Sequence, residues 1–289
     1  MTWKMSTKFM PTSRLFKLFR IKKISTLFID YFSQIGKRRR FIYATLVMTF
    51  FILVSSFLDS QKVYLLLPLL IIFVYFSTFF SILEGINGAE WLMLFLMPIY
   101  FTIVYYFFYF ILPGRWLTRL PYVSIYAISI YALLLSSNIL NVGVAKNLQL
   151  YRAAFSVGFL YLAISAYLSY SLILSFKLYP IFNLIAFFLA TYPLALHFFW
   201  SINPKTYIRR EVLKYALVVT LIVAEFGYIL SFMPLTPTIY ALFLAAGLYS
   251  LLGLFHAHIE ERLFRNRIRE YLMVIIFVSI ITLLSIRWS

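Results

Sequence analysis

The chain has 289 residues, of which 63% are hydrophobic and 12% charged, with 26 Lys and Arg against 9 Asp and Glu and no cysteine. Soluble domains carry about a quarter charged residues, so an ordinary water-exposed fold is excluded, and the missing cysteine removes disulfides, thiolate nucleophiles and cysteine metal sites. A formal charge of +17 would suit nucleic acid in a soluble protein, but here the cations flank long apolar stretches and no nucleic-acid partner is expected.

Residues 1–40 are too long and too basic for a cleaved signal peptide and read as a retained cytosolic arm. Within it Ile21, Ile24, Phe28, Tyr31, Phe32 and Ile35 fall on one side of a helix, and Lys22, Lys23, Ser25, Thr26, Asp30 and Ser33 on the other. That pattern predicts an amphipathic helix over about 21–35, lying in the headgroup layer. The run Lys37, Arg38, Arg39, Arg40 follows at the membrane edge, where anionic lipid headgroups attract each cation by about 1 kcal/mol.

Residues 41–289 form one transmembrane helical domain, with apolar stretches over about 41–58, 63–83, 91–113, 121–140, 153–176, 179–201, 212–233, 237–256 and 271–287. Each is long enough, at about 1.5 Å per residue, to cross the roughly 30 Å hydrocarbon core. Only helices and closed barrels satisfy their backbone groups in lipid, and the unbroken apolar runs are not barrel strands. The predicted fold is therefore an all-α polytopic membrane bundle of about nine spans.

With the N-terminus inside, the cytosolic segments hold every Lys and Arg except Lys62, Arg115, Arg119, Lys177 and Arg287. The positive-inside rule then places the C-terminus outside. Trp91, Trp116, Trp200 and Trp288 sit at or beside span ends, where an indole buries its ring and keeps its N–H hydrated. Arg209 and Arg210 before the seventh span are further headgroup contacts.

Pro68, Pro98 and Pro193 lie inside spans and predict local kinks. Ala245, Ala246, Gly247, Ser250 and Gly253 on the eighth span, and Ser165 with Ser169 on the fifth, read as close helix packing.

The clearest chemical signal is Glu225, near the middle of the seventh span. A carboxylate there costs about 2.5 to 3.5 kcal/mol, so it is expected neutral, paired or facing a wet cavity. No Lys or Arg lies at comparable depth. Asn138 and His197 are further candidates for a substrate or ion pathway, although Asn138, like Asn183, lies near a span end and suits a capping role. The topology also brings Glu84, His197, His256, His258 and Glu260 to the cytosolic face, with His256 and Glu260 one helical turn apart. The competing reading of that layer is a solvated charged turn, and no metal is expected, since metal sites normally need three or four convergent ligands. Phosphate loops, nucleophile elbows and His-Glu-x-x-His are absent from the sequence, and no cofactor is expected.

The segment 141–154, from Asn141 through Lys146, Gln149, Tyr151 and Arg152 to Ala154, resembles stretches of multi-span proteins of unknown function from small-genome bacteria. The resemblance implies a bacterial inner-membrane protein and carries no active site onto this chain. Three functions follow from the residues. A permease is the leading one and requires Glu225 to face an internal cavity. An enzyme acting on lipid would use Glu84, His197 and His256 with Arg209, Arg210 and Lys214 holding an anionic headgroup. A non-catalytic subunit or assembly factor would instead present a broad apolar face to a membrane-protein partner or a second copy.

Overall fold

The computed structural model describes residues 32, 34–57, 63–83, 85–112, 116–142, 148–261 and 264–285. The described residues are all-helical: α1 Lys37–Ser55, α2 Val63–Ile82, α3 Glu90–Tyr109, α4 Trp116–Val142, α5 Leu148–Ser175, α6 Pro180–Ser201, α7 Arg210–Leu230, α8 Pro237–Ile259 and α9 Arg265–Leu284. Residues 21–31 and 33 of the predicted interfacial helix lie outside them.

Six helices, α3 to α8, are long and apolar enough to cross a membrane. The others fall short of that measure for visible reasons. α1 and α9 start within basic runs, Lys37 to Arg40 and Arg265 to Arg269, and the apolar stretch of α2 is Leu66–Ile82. The helices also overrun several predicted spans at the polar ends: α5 begins at Leu148 and α9 at Arg265, not at 153 and 271. Backbone hydrogen bonding does not stop where hydrocarbon does, and long cationic side chains at helix ends reach the headgroups. Pro68, Pro98 and Pro193 are all accommodated within continuous helices, as is Pro121 in α4.

α5 is the hub, packing against α3, α4, α6 and α8, while α1 packs on α2 and α4, and α3 also touches α2, α4 and α6. The α6–α7 pair makes the most extensive interface, and α9 packs chiefly on α8. The bundle thus has a first group, α1–α4, and a second, α5–α9, joined through α5 and α6.

Between helices that share an apolar solvent, association rests on close packing and on polar contacts. Glycines supply the first. The ring of Phe187 of α6 fills the space over Gly227 of α7, and that of Tyr271 of α9 the space over Gly253 of α8. Gly253 therefore packs as the sequence predicts, whereas Gly247 on the same helix faces open space. Tyrosines supply the second, and the sequence did not single them out. Tyr105 and Tyr122 stack with ring centroids 4.0 Å apart and each donates its hydroxyl to the other's carbonyl, bonding α3 to α4. Thr102 and Tyr126 share a 2.9 Å bond beside them. Tyr170 and Thr191 join α5 to α6 at 2.7 Å, and Tyr100 of α3 donates to the Ala190 carbonyl of α6 at 3.0 Å. Buried hydroxyls without partners are costly in this medium, so each pair adds register as well as attraction. Tyr170→Phe is expected to lower stability by about 1 kcal/mol, read as a small fall in the thermal midpoint of the detergent-solubilised chain; Tyr167→Phe, at a partly exposed position, is the control.

Candidate functional site

α7 shows how the intramembrane carboxylate is placed. Its buried residues are Val212, Ala216, Val219, Thr220, Val223, Ala224, Gly227 and Leu230, all small or β-branched except Leu230, a stripe that lets the helix settle closely on α6. Glu225 stands nine residues beyond Ala216, which at about 100° per residue puts it about half a turn from that stripe. The carboxylate is accordingly exposed on the outer surface of the bundle. Around it lie Leu217, Val218, Leu221, Phe226, Ile229 and Phe232, all exposed. Among the described residues none hydrogen-bonds or ion-pairs with Glu225. The internal cavity that a permease built on this residue requires is therefore not where the side chain points.

The polar groups on the opposite, inner side of α7 are used up in packing. Ser231 Oγ donates to the Gly227 carbonyl at 2.8 Å, the Tyr240 hydroxyl bonds both Ser231 Oγ and that carbonyl, and Asn183 Nδ2 donates to Ser231 Oγ at 3.3 Å. Asn183 thereby ties α6 to α7 and to Tyr240 of α8, the structural role its position suggested. Asn138, on α4, is half-buried.

At the opposite end of α5, α6 and α8 the predicted histidine layer is partly assembled. His256 stacks on Phe155 of α5 at 4.7 Å, meets Phe198 of α6 edge-on at 6.1 Å, and approaches Glu260 with Nε2 3.4 Å from Oε1. Tyr151 at the start of α5 bonds the Ser201 and Ile202 carbonyls and is close enough to feel the charge of Glu260. His197 is buried beside Trp200, and among the described residues its Nε2 finds no hydrogen-bond partner. His258 points outward and is exposed. Glu84 lies outside the described residues. Among the described residues no three potential metal ligands converge. The contact that the structure assembles is thus His256 with Glu260.

Two boundary expectations are corrected. Arg40 was expected among the headgroup contacts with Lys37, Arg38 and Arg39; those three are exposed, but Arg40 is only 1% exposed. It is the first member of the stripe Arg40, Ala44, Met48 and Ile52 by which α1 packs inward, and a side chain in phase with that stripe is carried into the bundle. Trp200 was expected to keep its indole N–H in water; it is fully buried, and Nε1 donates instead to the Lys205 carbonyl at 3.0 Å in the following loop. Trp91 does keep an exposed edge while stacking on Phe79 and Phe95. Of the other headgroup candidates, Arg210 is exposed and Arg209 half-buried, the latter 3.9 Å from Glu211.

Comparison with known proteins adds one finding. Residues 159–285 match a family described as a protein of unknown function (DUF5656). The match spans most of α5 and continues through α9, the second helix group. It agrees with the expectation of an unknown-function family covering part of the chain, although it begins beyond the 141–154 segment that carried the resemblance. No curated protein and no solved structure matches the chain.

Proposed function

We propose that this chain is a non-catalytic member of a membrane assembly and that it docks to a transmembrane partner through the outer face of α7. The observation that carries the reading is Glu225, exposed in the middle of an apolar stripe. Left against lipid, the carboxyl costs about 2.5 to 3.5 kcal/mol. A partner helix offering a hydrogen-bond donor or a cation at that depth removes the cost and selects for itself, because any wrong partner leaves the acid unpaired. In this reading all nine helices span, the N-terminus is cytosolic, the C-terminus is outside, and the membrane is a bacterial inner membrane. The positive-inside distribution supports the orientation.

Transport, the leading expectation from the sequence, keeps one form: a pathway at the seam between α7 and its partner, with Glu225 as the coupling acid. The lipid-enzyme reading ranks below both: the His256 it needs meets Glu260, which is not one of its residues.

A hydrophobic carbodiimide, which modifies protonated carboxyls from the lipid phase, tests the proposal. In native membranes Glu225 is expected to be modified at least about tenfold more slowly than in chain purified to a monomer. Glu225→Leu should give a smaller particle on a native gel while leaving the isolated chain at least as stable as wild type. Equal labelling in both preparations together with an unchanged particle size for Glu225→Leu overturns the reading.

A further inference from the structure

We propose that the cytosolic end of α9 holds one anionic phospholipid, its phosphate between Arg265 and Arg269 and an acyl chain laid along Ile268, Leu272, Met273 and Ile276. These six residues share one face of α9, open to the exterior, with about 310 Å³ of space among their side chains. The inference is independent of the α7 surface.

The spacing makes this face amphiphilic. Arg265 and Arg269 are one helical turn apart and so neighbour each other on the helix surface. Below them the same side continues with Leu272, Met273 and Ile276, and then the exposed Ile280 and Leu283. Ile276 is eleven positions beyond Arg265, about 16 Å along the axis, so the face joins a cationic end to a long apolar one. The face turned to α8 is different: it carries Tyr271, which fills the space over Gly253, and the buried Val278 and Thr282.

The arginines at the polar end are open to a ligand. Both are exposed, and among the described residues neither makes an ion pair. Glu270, the acid next to Arg269, is paired with Arg267 at 3.3 Å. Two guanidinium groups present a planar array of donors that matches phosphate oxygens, which ammonium groups do less well. Charge complementarity thus selects an anion, and the apolar stripe attached to it selects one that carries an acyl chain. A free phosphate would leave Leu272, Met273 and Ile276 unused, and a protein segment would need an acid at one end of an otherwise apolar face. The positive-inside orientation places this end in the leaflet whose anionic lipids attract cations.

The test is native mass spectrometry of the full chain released from micelles containing phosphatidylglycerol or phosphatidylcholine. Wild type is expected to retain one phosphatidylglycerol and no phosphatidylcholine. The double substitution R265Q and R269Q should lower that retention about tenfold. Removing the same charge elsewhere, with R152Q and K205Q, should leave it unchanged. Met273→Trp, which fills the apolar half and keeps both cations, should also lower it, so the outcome does not hang on one variant folding. Three results overturn the proposal: equal loss with R152Q and K205Q, which means diffuse attraction; displacement by millimolar inorganic phosphate, which means a phosphate site without a lipid; and undiminished retention in R265Q with R269Q.

Discussion

Gly227→Val is expected to unseat α7 from α6 and to be among the most damaging single substitutions in the bundle. A Cβ on Gly227 would stand 2.5 Å from Cδ2 and 2.9 Å from Cε2 of Phe187. The ring cannot swing aside, because it is fully buried between Tyr170 and Tyr240, with ring centroids at 5.4 and 6.0 Å. The backbone cannot slide easily either, since the Gly227 carbonyl accepts both Tyr240 and Ser231. Overpacking a close-packed interior costs about 1 to 3 kcal/mol, and the interface at stake is the most extensive among the described helices. A loss of about 3 kcal/mol is expected, measured as the shift in a mixed-micelle denaturation curve. Phe187→Ala alone should cost a comparable amount by leaving a cavity. Together the two should cost less than their sum by at least about 1 kcal/mol, since each relieves the other's defect. Strict additivity overturns the contact.

The second large effect is expected at Gly88, in the turn before α3. Its φ is +55° and a Cβ there would lie 2.1 Å from the carbonyl oxygen of Thr206. That oxygen is backbone and is held in place by the 2.7 Å hydrogen bond from Ala89 N–H. The contact ties the α2–α3 turn to the α6–α7 loop, the loop that also receives the Trp200 indole. Gly88→Ala should therefore cost about 3 kcal/mol, part from the left-handed backbone and the rest from the clash. Hydrogen exchange should speed up in both loops at once. Gly88→Asn separates the two causes: asparagine tolerates the left-handed region but keeps the Cβ, so it should be nearly as damaging. Gly85 is the contrast. Its φ is also positive, at +78°, yet a Cβ would meet only Asn141 Nδ2 at 3.7 Å, so Gly85→Asn should cost less than about 1 kcal/mol.

Much of this architecture was legible before any coordinates. Apolar stretches of bilayer length announce helices because no other unclosed backbone satisfies itself in lipid, and nine stretches became nine described helices. Which way a helix faces was harder to read, because in a membrane both the packed and the lipid-facing sides are apolar. The usable signal is size, not polarity. On α7 the small residues Ala216, Thr220, Ala224 and Gly227 mark the packed side, and measuring Glu225 against that stripe would have turned it outward. On α1 the stripe through Ala44 and Met48 likewise runs back to Arg40, which the length of the basic run Lys37 to Arg40 concealed.

Composition and the length of the apolar runs indicate the class of this protein and where its described helices fall, because those features answer to the bilayer alone and need no neighbour. The environment of each polar side chain belongs to the packed bundle. Glu225 turned to the exterior, His197 enclosed without a partner for Nε2, the indole of Trp200 capped by a loop carbonyl and the tyrosines locked across helix pairs all depend on which helices lie side by side and at what rotation. Those choices are made by close packing between residues far apart in the chain, where a single Cβ at Gly227 or Gly88 decides whether two elements meet.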